Sequence, residues 1–133
     1  MLFTGPVVLT SISLSESEIA MITARYHVVR WSGAGTVDTE TLGKARAMLV
    51  SSQGGLNGLD LGLCPRLGLV HCFGAGYEGI DFAALASRGI RISAAGGAHS
   101  AIVADHALAL WLAGLRRVID HDRAVRGGGW SAP

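Results

Sequence analysis

The residues best placed to do chemistry in this chain are glycines. Gly74-Ala75-Gly76-Tyr77-Glu78-Gly79 spells G-x-G-x-x-G directly after the apolar run Leu69-Val70-His71-Cys72-Phe73. In dinucleotide-binding folds that spacing cradles a pyrophosphate, because glycines let backbone N–H groups come close to the anion. Three features argue against that use here. Glu78 and Asp81 put negative charge where the pyrophosphate would sit. The loop follows the fourth apolar run of the chain, whereas the fingerprint belongs to the first strand of its domain. The stretch Ser93-Ala94-Ala95-Gly96-Gly97, about twenty residues on, offers no acid for a ribose. The expected reading is a tight turn, with Asp81 capping the next helix.

A second glycine loop, Ser52-Gln53-Gly54-Gly55, also follows an apolar run. Successive N–H groups in such turns form a nest that suits a small anion. Other chemistry has less to work with. His27, His71, His99, His106 and His121 do not combine with Cys, Asp or Glu at metal-ligand spacing. His71 reads as a packed strand residue and His106 as the polar mark on a long helix. Cys64 and Cys72 form no C-x-x-C pair, so a reduced, cytoplasmic setting is expected.

Elements of alternating type must position these loops. Strands are expected at residues 7–9, 27–31, 47–51, 69–73 and 90–93. Helices are expected at 15–26, where Ser15 and Glu18 are spaced as a capping box, and at 38–46 and 82–88. A poor helix is expected at 56–63. A long one runs from 101 to 118, with a continuation to 126. This rhythm predicts an α/β fold: a flavodoxin-like, doubly wound parallel sheet of about five strands, followed by a long C-terminal helix.

Composition limits the function. With 50% apolar residues, 16% charged residues and a net charge of +1, the chain gives no electrostatic case for nucleic acid or an acidic membrane surface. Residues 1–10 lack the pattern of a secretory leader. The most apolar segment, 101–115, is interrupted by Asp105 and His106 and is too short to span a bilayer. A helix apolar nearly all round wants cover on more than one side, which suggests a second copy of the chain.

Four segments taken in order resemble one family. They are Leu67 to Asp81, with its G-x-G and Ile80-Asp81; Arg88-Gly89-Ile90-Arg91-Ile92; Gly97 to Arg117 around Val103-Ala104-Asp105-His106-Ala107-Leu108; and Arg123 to Trp130. Together they resemble the NAD(P)-dependent D-2-hydroxyacid dehydrogenases, which include glyoxylate/hydroxypyruvate reductases and phosphoglycerate dehydrogenase.

The resemblance implies that Gln53, Gly54 and Gly55, with Gly74, Ala75 and Gly76, hold the carboxylate of a small 2-keto or 2-hydroxy acid. It puts Val103 beside the nicotinamide. It implies a substrate-binding domain over 1–98, an interdomain or dimerisation helix region over 99–126, and at 127–133 a linker to an absent cofactor domain. The family's true nucleotide loop and its Arg, His and acid for hydride transfer have no match in this sequence. On this reading the chain is a truncated part, inactive alone, with no catalytic residue of its own. NAD or NADP is implied by the family but not expected to bind this chain alone. The partners expected are a second copy or a separate cofactor domain. The alternative is a stand-alone carboxylate-binding or oligomerisation module. A flavin protein is disfavoured, because the loop Thr10-Ser11-Ile12-Ser13-Leu14-Ser15 has hydroxyls but no glycine.

Overall fold

The computed structural model describes residues 5–130. Residues 1–4 of the segment read as lacking a leader, and 131–133 of the expected linker, lie outside it. The chain divides into two compact units, 1–96 and 97–133.

In the first unit five strands form one parallel sheet. They are β1 (Val7–Thr10), β2 (His27–Arg30), β3 (Ala45–Val50), β4 (Leu69–Cys72) and β5 (Arg91–Ala94). Their order is β2-β1-β3-β4-β5, the flavodoxin-like arrangement. Parallel neighbours need crossovers, and helices supply three of the four: α1 (Glu16–Thr23), α2 (Thr39–Lys44) and α3 (Phe82–Ala86). The central strands are apolar on both faces, so the core sits around Leu9, Met48, Val50, Val70, Cys72 and Leu85, all fully buried.

Side chains fix the helix starts. Ser15 and Glu18 form the expected capping box on α1. The Asp38 carboxylate accepts from Thr41 N–H at 2.8 Å, and that of Asp81 from Ala84 N–H at 2.9 Å.

Two expected helices differ. Over 56–63 only a single 3-10 turn forms, at Leu61–Leu63. Asn57 (φ +48°) and Gly58 (φ +72°) are both left-handed, and two such residues in succession break a right-handed helix. In the second unit, α4 (Ser100–Leu115) ends at Arg116 and a separate helix, α5 (Val118–Arg126), follows. Arg117 takes φ +49° between them, and its guanidinium meets the Asp120 carboxylate at 3.0 Å, so the continuation is a new helix. None of the described helices is long and apolar enough to cross a membrane.

Candidate functional site

Both glycine loops leave the C-terminal ends of neighbouring strands, β3 and β4. The sheet changes winding direction between β1 and β3, and open α/β sheets bind ligands beside such a switch point, at the C-terminal edge.

The loops meet backbone to backbone. Gly79 N–H donates to the Ser52 carbonyl at 2.7 Å. A Cβ on Gly79 would lie 2.7 Å from the carbonyl oxygens of Ser52 and Gln53. A Cβ on Gly55, which has φ +49°, would run into the Gly79 carbonyl. Only glycine at both positions allows this approach. From the far side Trp31, 2% exposed, donates its indole N–H to the carbonyls of Leu56 (3.2 Å) and Asn57 (3.4 Å). Tyr77 and Phe82 stack edge to face at 5.4 Å, tying the second loop to α3.

Of the six residues expected to hold a carboxylate, two have their N–H groups already engaged. Gly54 N–H donates to Ser51 Oγ at 2.9 Å, and Gly55 N–H to the Ser51 carbonyl at 3.1 Å. Gln53 N–H, and the successive N–H groups of Gly74, Ala75 and Gly76, donate to no acceptor among the described residues. Gly74 takes φ +137° and its carbonyl accepts from Ala95 N–H at 2.9 Å, which ties the loop to the end of β5. Three adjacent unpaired donors on a held loop are what a small anion needs. The roles of Ser51, Gly79 and Trp31 escaped the sequence reading. The third glycine of G-x-G-x-x-G was the available signal for one of them.

A pyrophosphate does not fit this loop. The Glu78 carboxylate folds back so that a Cβ on Gly76 would meet its Oε1 at 2.9 Å. Asp81 occupies the start of α3, which is only five residues long. Glu78 also acts on Cys72: burial first, and then the negative charge of Glu78, pushes that thiol's pKa up. Burial and then Asp60 do the same to Cys64. Neither thiol is an activated nucleophile.

The remaining candidates stay apart from chemistry. His71 Nδ1 lies 2.8 Å from Ser93 Oγ across the β4–β5 pair. The Thr10 hydroxyl donates to the Ile12 carbonyl at 3.1 Å, and Ser15 is spent on its cap, so the first loop has few hydroxyls left for a phosphate. Val103 lies on α4 in the second unit and is 62% exposed. Among the described residues no group of three or more His, Cys, Asp or Glu could hold a metal ion.

Comparison with known proteins gives a consistent picture. The family profile "D-isomer specific 2-hydroxyacid dehydrogenase, catalytic domain" matches residues 7–129. A glyoxylate/hydroxypyruvate reductase of Arabidopsis thaliana is 40% identical over 87 residues, covering 65% of this chain and 27% of that protein. A D-3-phosphoglycerate dehydrogenase of Mycobacterium leprae is 32% identical over 128 residues, covering 94% of this chain and 24% of its own length. The crystal structure of a 2-hydroxyacid dehydrogenase from Ketogulonicigenium vulgare superposes with a TM-score of 0.79 at 25% identity, covering 98% of this chain and 43% of that one. The chain thus spans about a quarter of the length of these curated relatives.

Proposed function

Because the chain belongs to the D-isomer specific 2-hydroxyacid dehydrogenase family, we propose that it is the substrate-holding part of an NAD(P)-dependent reductase of small 2-keto acids. The observation that carries this reading is the run of unpaired N–H groups at Gly74, Ala75 and Gly76, docked on the loop of Gln53. These donors suit a carboxylate better than a phosphate, because Glu78 and Asp81 stand beside them and a monoanion is repelled less than a polyanion.

In such a reaction the nicotinamide supplies a hydride. This chain's part is to fix the carboxylate, so that the neighbouring keto carbon is held in one orientation. The family's Arg, His and acid have no match in this sequence, so turnover needs a cofactor-binding domain in addition to this chain. A second copy of the chain is the partner we assign to α4, whose sixteen residues include none that is buried. Two buried, unpaired thiols accord with the cytoplasm, where we place the protein.

Calorimetric titration with glyoxylate tests the site. The expected result is saturable binding with Kd on the order of 1 mM, lost when Ala75→Asp places a charge among the donors. The side chain of Ala75 is exposed, so the fold tolerates that change. Absence of binding, or binding unchanged in Ala75→Asp, would sink the proposal. NADH titrated into the same sample should give no saturable heat.

A further inference from the structure

At the opposite edge of the sheet, where the strands begin, three cations surround an open cleft. Gly5 and Pro6 lead into β1, Lys44 ends α2, Arg46 is the second residue of β3, and Arg66 precedes β4. Among the described residues these five line a cavity of about 430 Å³. The glycine loops lie at the other ends of β3 and β4, a strand length away, roughly 13–20 Å at about 3.3 Å per residue.

The charge balance of the cleft is one-sided. Lys44 pairs with Glu40 one helical turn earlier. Arg46 and Arg66 have no carboxylate partner among the described residues, and their side-chain nitrogens make no hydrogen bond there. The whole chain has 11 basic and 10 acidic residues, so two arginines on one cleft with no carboxylate partner among the described residues are a local excess and not a property of the surface at large. Like charges held together are unfavourable unless an anion lies between them. Each guanidinium offers a planar fork of N–H donors that matches phosphoryl oxygens two at a time. The volume falls within the range of about 300–1,000 Å³ of small-molecule sites. Among the described residues the lining is two small residues and three cations, which suits an anion more than an apolar ligand.

We propose that this cleft binds a small phosphoryl polyanion, such as pyrophosphate or the phosphate end of a metabolite, through Arg46, Arg66 and Lys44. The site is separate from the carboxylate loops. Its charge requirement is the reverse of theirs, because Glu78 and Asp81 turn polyanions away at the other edge of the sheet.

The test is calorimetry of the purified chain with inorganic pyrophosphate at low salt. Binding should be saturable and should weaken as salt is added. Arg66→Gln, and separately Arg46→Gln, should each weaken it about tenfold, the scale expected for one charge-assisted hydrogen-bonded contact. Arg66→Lys should retain most of the affinity. Both side chains are on exposed residues, and unchanged thermal unfolding shows that the variants fold. Arg116→Gln, in the second unit, should leave binding unaltered. Saturating glyoxylate should not displace pyrophosphate, which distinguishes this cleft from the carboxylate site whether or not glyoxylate binds. Absence of saturable binding, equal weakening in Arg116→Gln, or displacement by glyoxylate would each overturn the proposal.

Discussion

Gly79 and Gly55 give the loop pair its shape by having no side chain. A methyl group on Gly79 meets two backbone carbonyls at 2.7 Å, and backbone, unlike a long side chain, cannot swing away. Gly79→Ala should therefore destabilise the first unit by about 1–3 kcal/mol in urea unfolding, and the loops should separate enough to weaken glyoxylate binding. Gly35→Ala is the matched control. Gly35 has φ +80° but open space around its Cβ position, so the change should cost only about 1 kcal/mol and leave binding intact. The glycine pattern itself was legible in the sequence. Its use was not, because a contact made of backbone across a separation of Ser52 to Gly79 leaves no mark on residue types. The same holds for Ser51, whose hydroxyl takes the Gly54 N–H that a nest would otherwise offer.

Among elements, the short α2 is held at its start by the residue just before it, Asp38. The Asp38 carboxylate accepts from the Thr41 N–H and from the Thr41 hydroxyl, both at 2.8 Å. Those two bonds, the backbone one first, hold the folded-state pKa below the ordinary aspartate value. A depressed pKa means that the carboxylate stabilises the fold above its unfolded pKa. That contribution is lost as pH falls through the lowered folded value. Asp38→Ala should accordingly lower the urea midpoint at neutral pH, and the gap to the unaltered protein should close in acid. Strand positions and the capping residues Ser15 and Asp81 were readable because each rests on local chemistry; Asp38 was read as the first helical residue and is instead the cap. The break after Arg116 was not. Apolar periodicity carries straight through the sequence there, while Arg117 turns left-handed to reach Asp120.

At the scale of the whole molecule, α4 carries large apolar side chains that are exposed. Trp111 is 64% exposed and Leu110 61%, on a helix with no buried residue. Light scattering should give twice the 13.8 kDa chain mass, and Trp111→Glu should return it to a single chain. A monomer before any substitution would exclude a second copy as the cover of α4.

The order β2-β1-β3-β4-β5 also dictates how the sheet can be built as the chain leaves the ribosome. β1 can pair with β2, the next strand to emerge, and β3 can then add on the free side of β1, β4 beside β3, and β5 beside β4. No strand has to be inserted between two that are already paired, so growth proceeds by edge addition without undoing earlier bonds. The clasp between the loops after β3 and β4 closes only near the end of that sequence, once Gly79 reaches Ser52. A nascent chain released at increasing lengths should therefore acquire a protease-resistant β1–β3 nucleus before it acquires any affinity for a carboxylate.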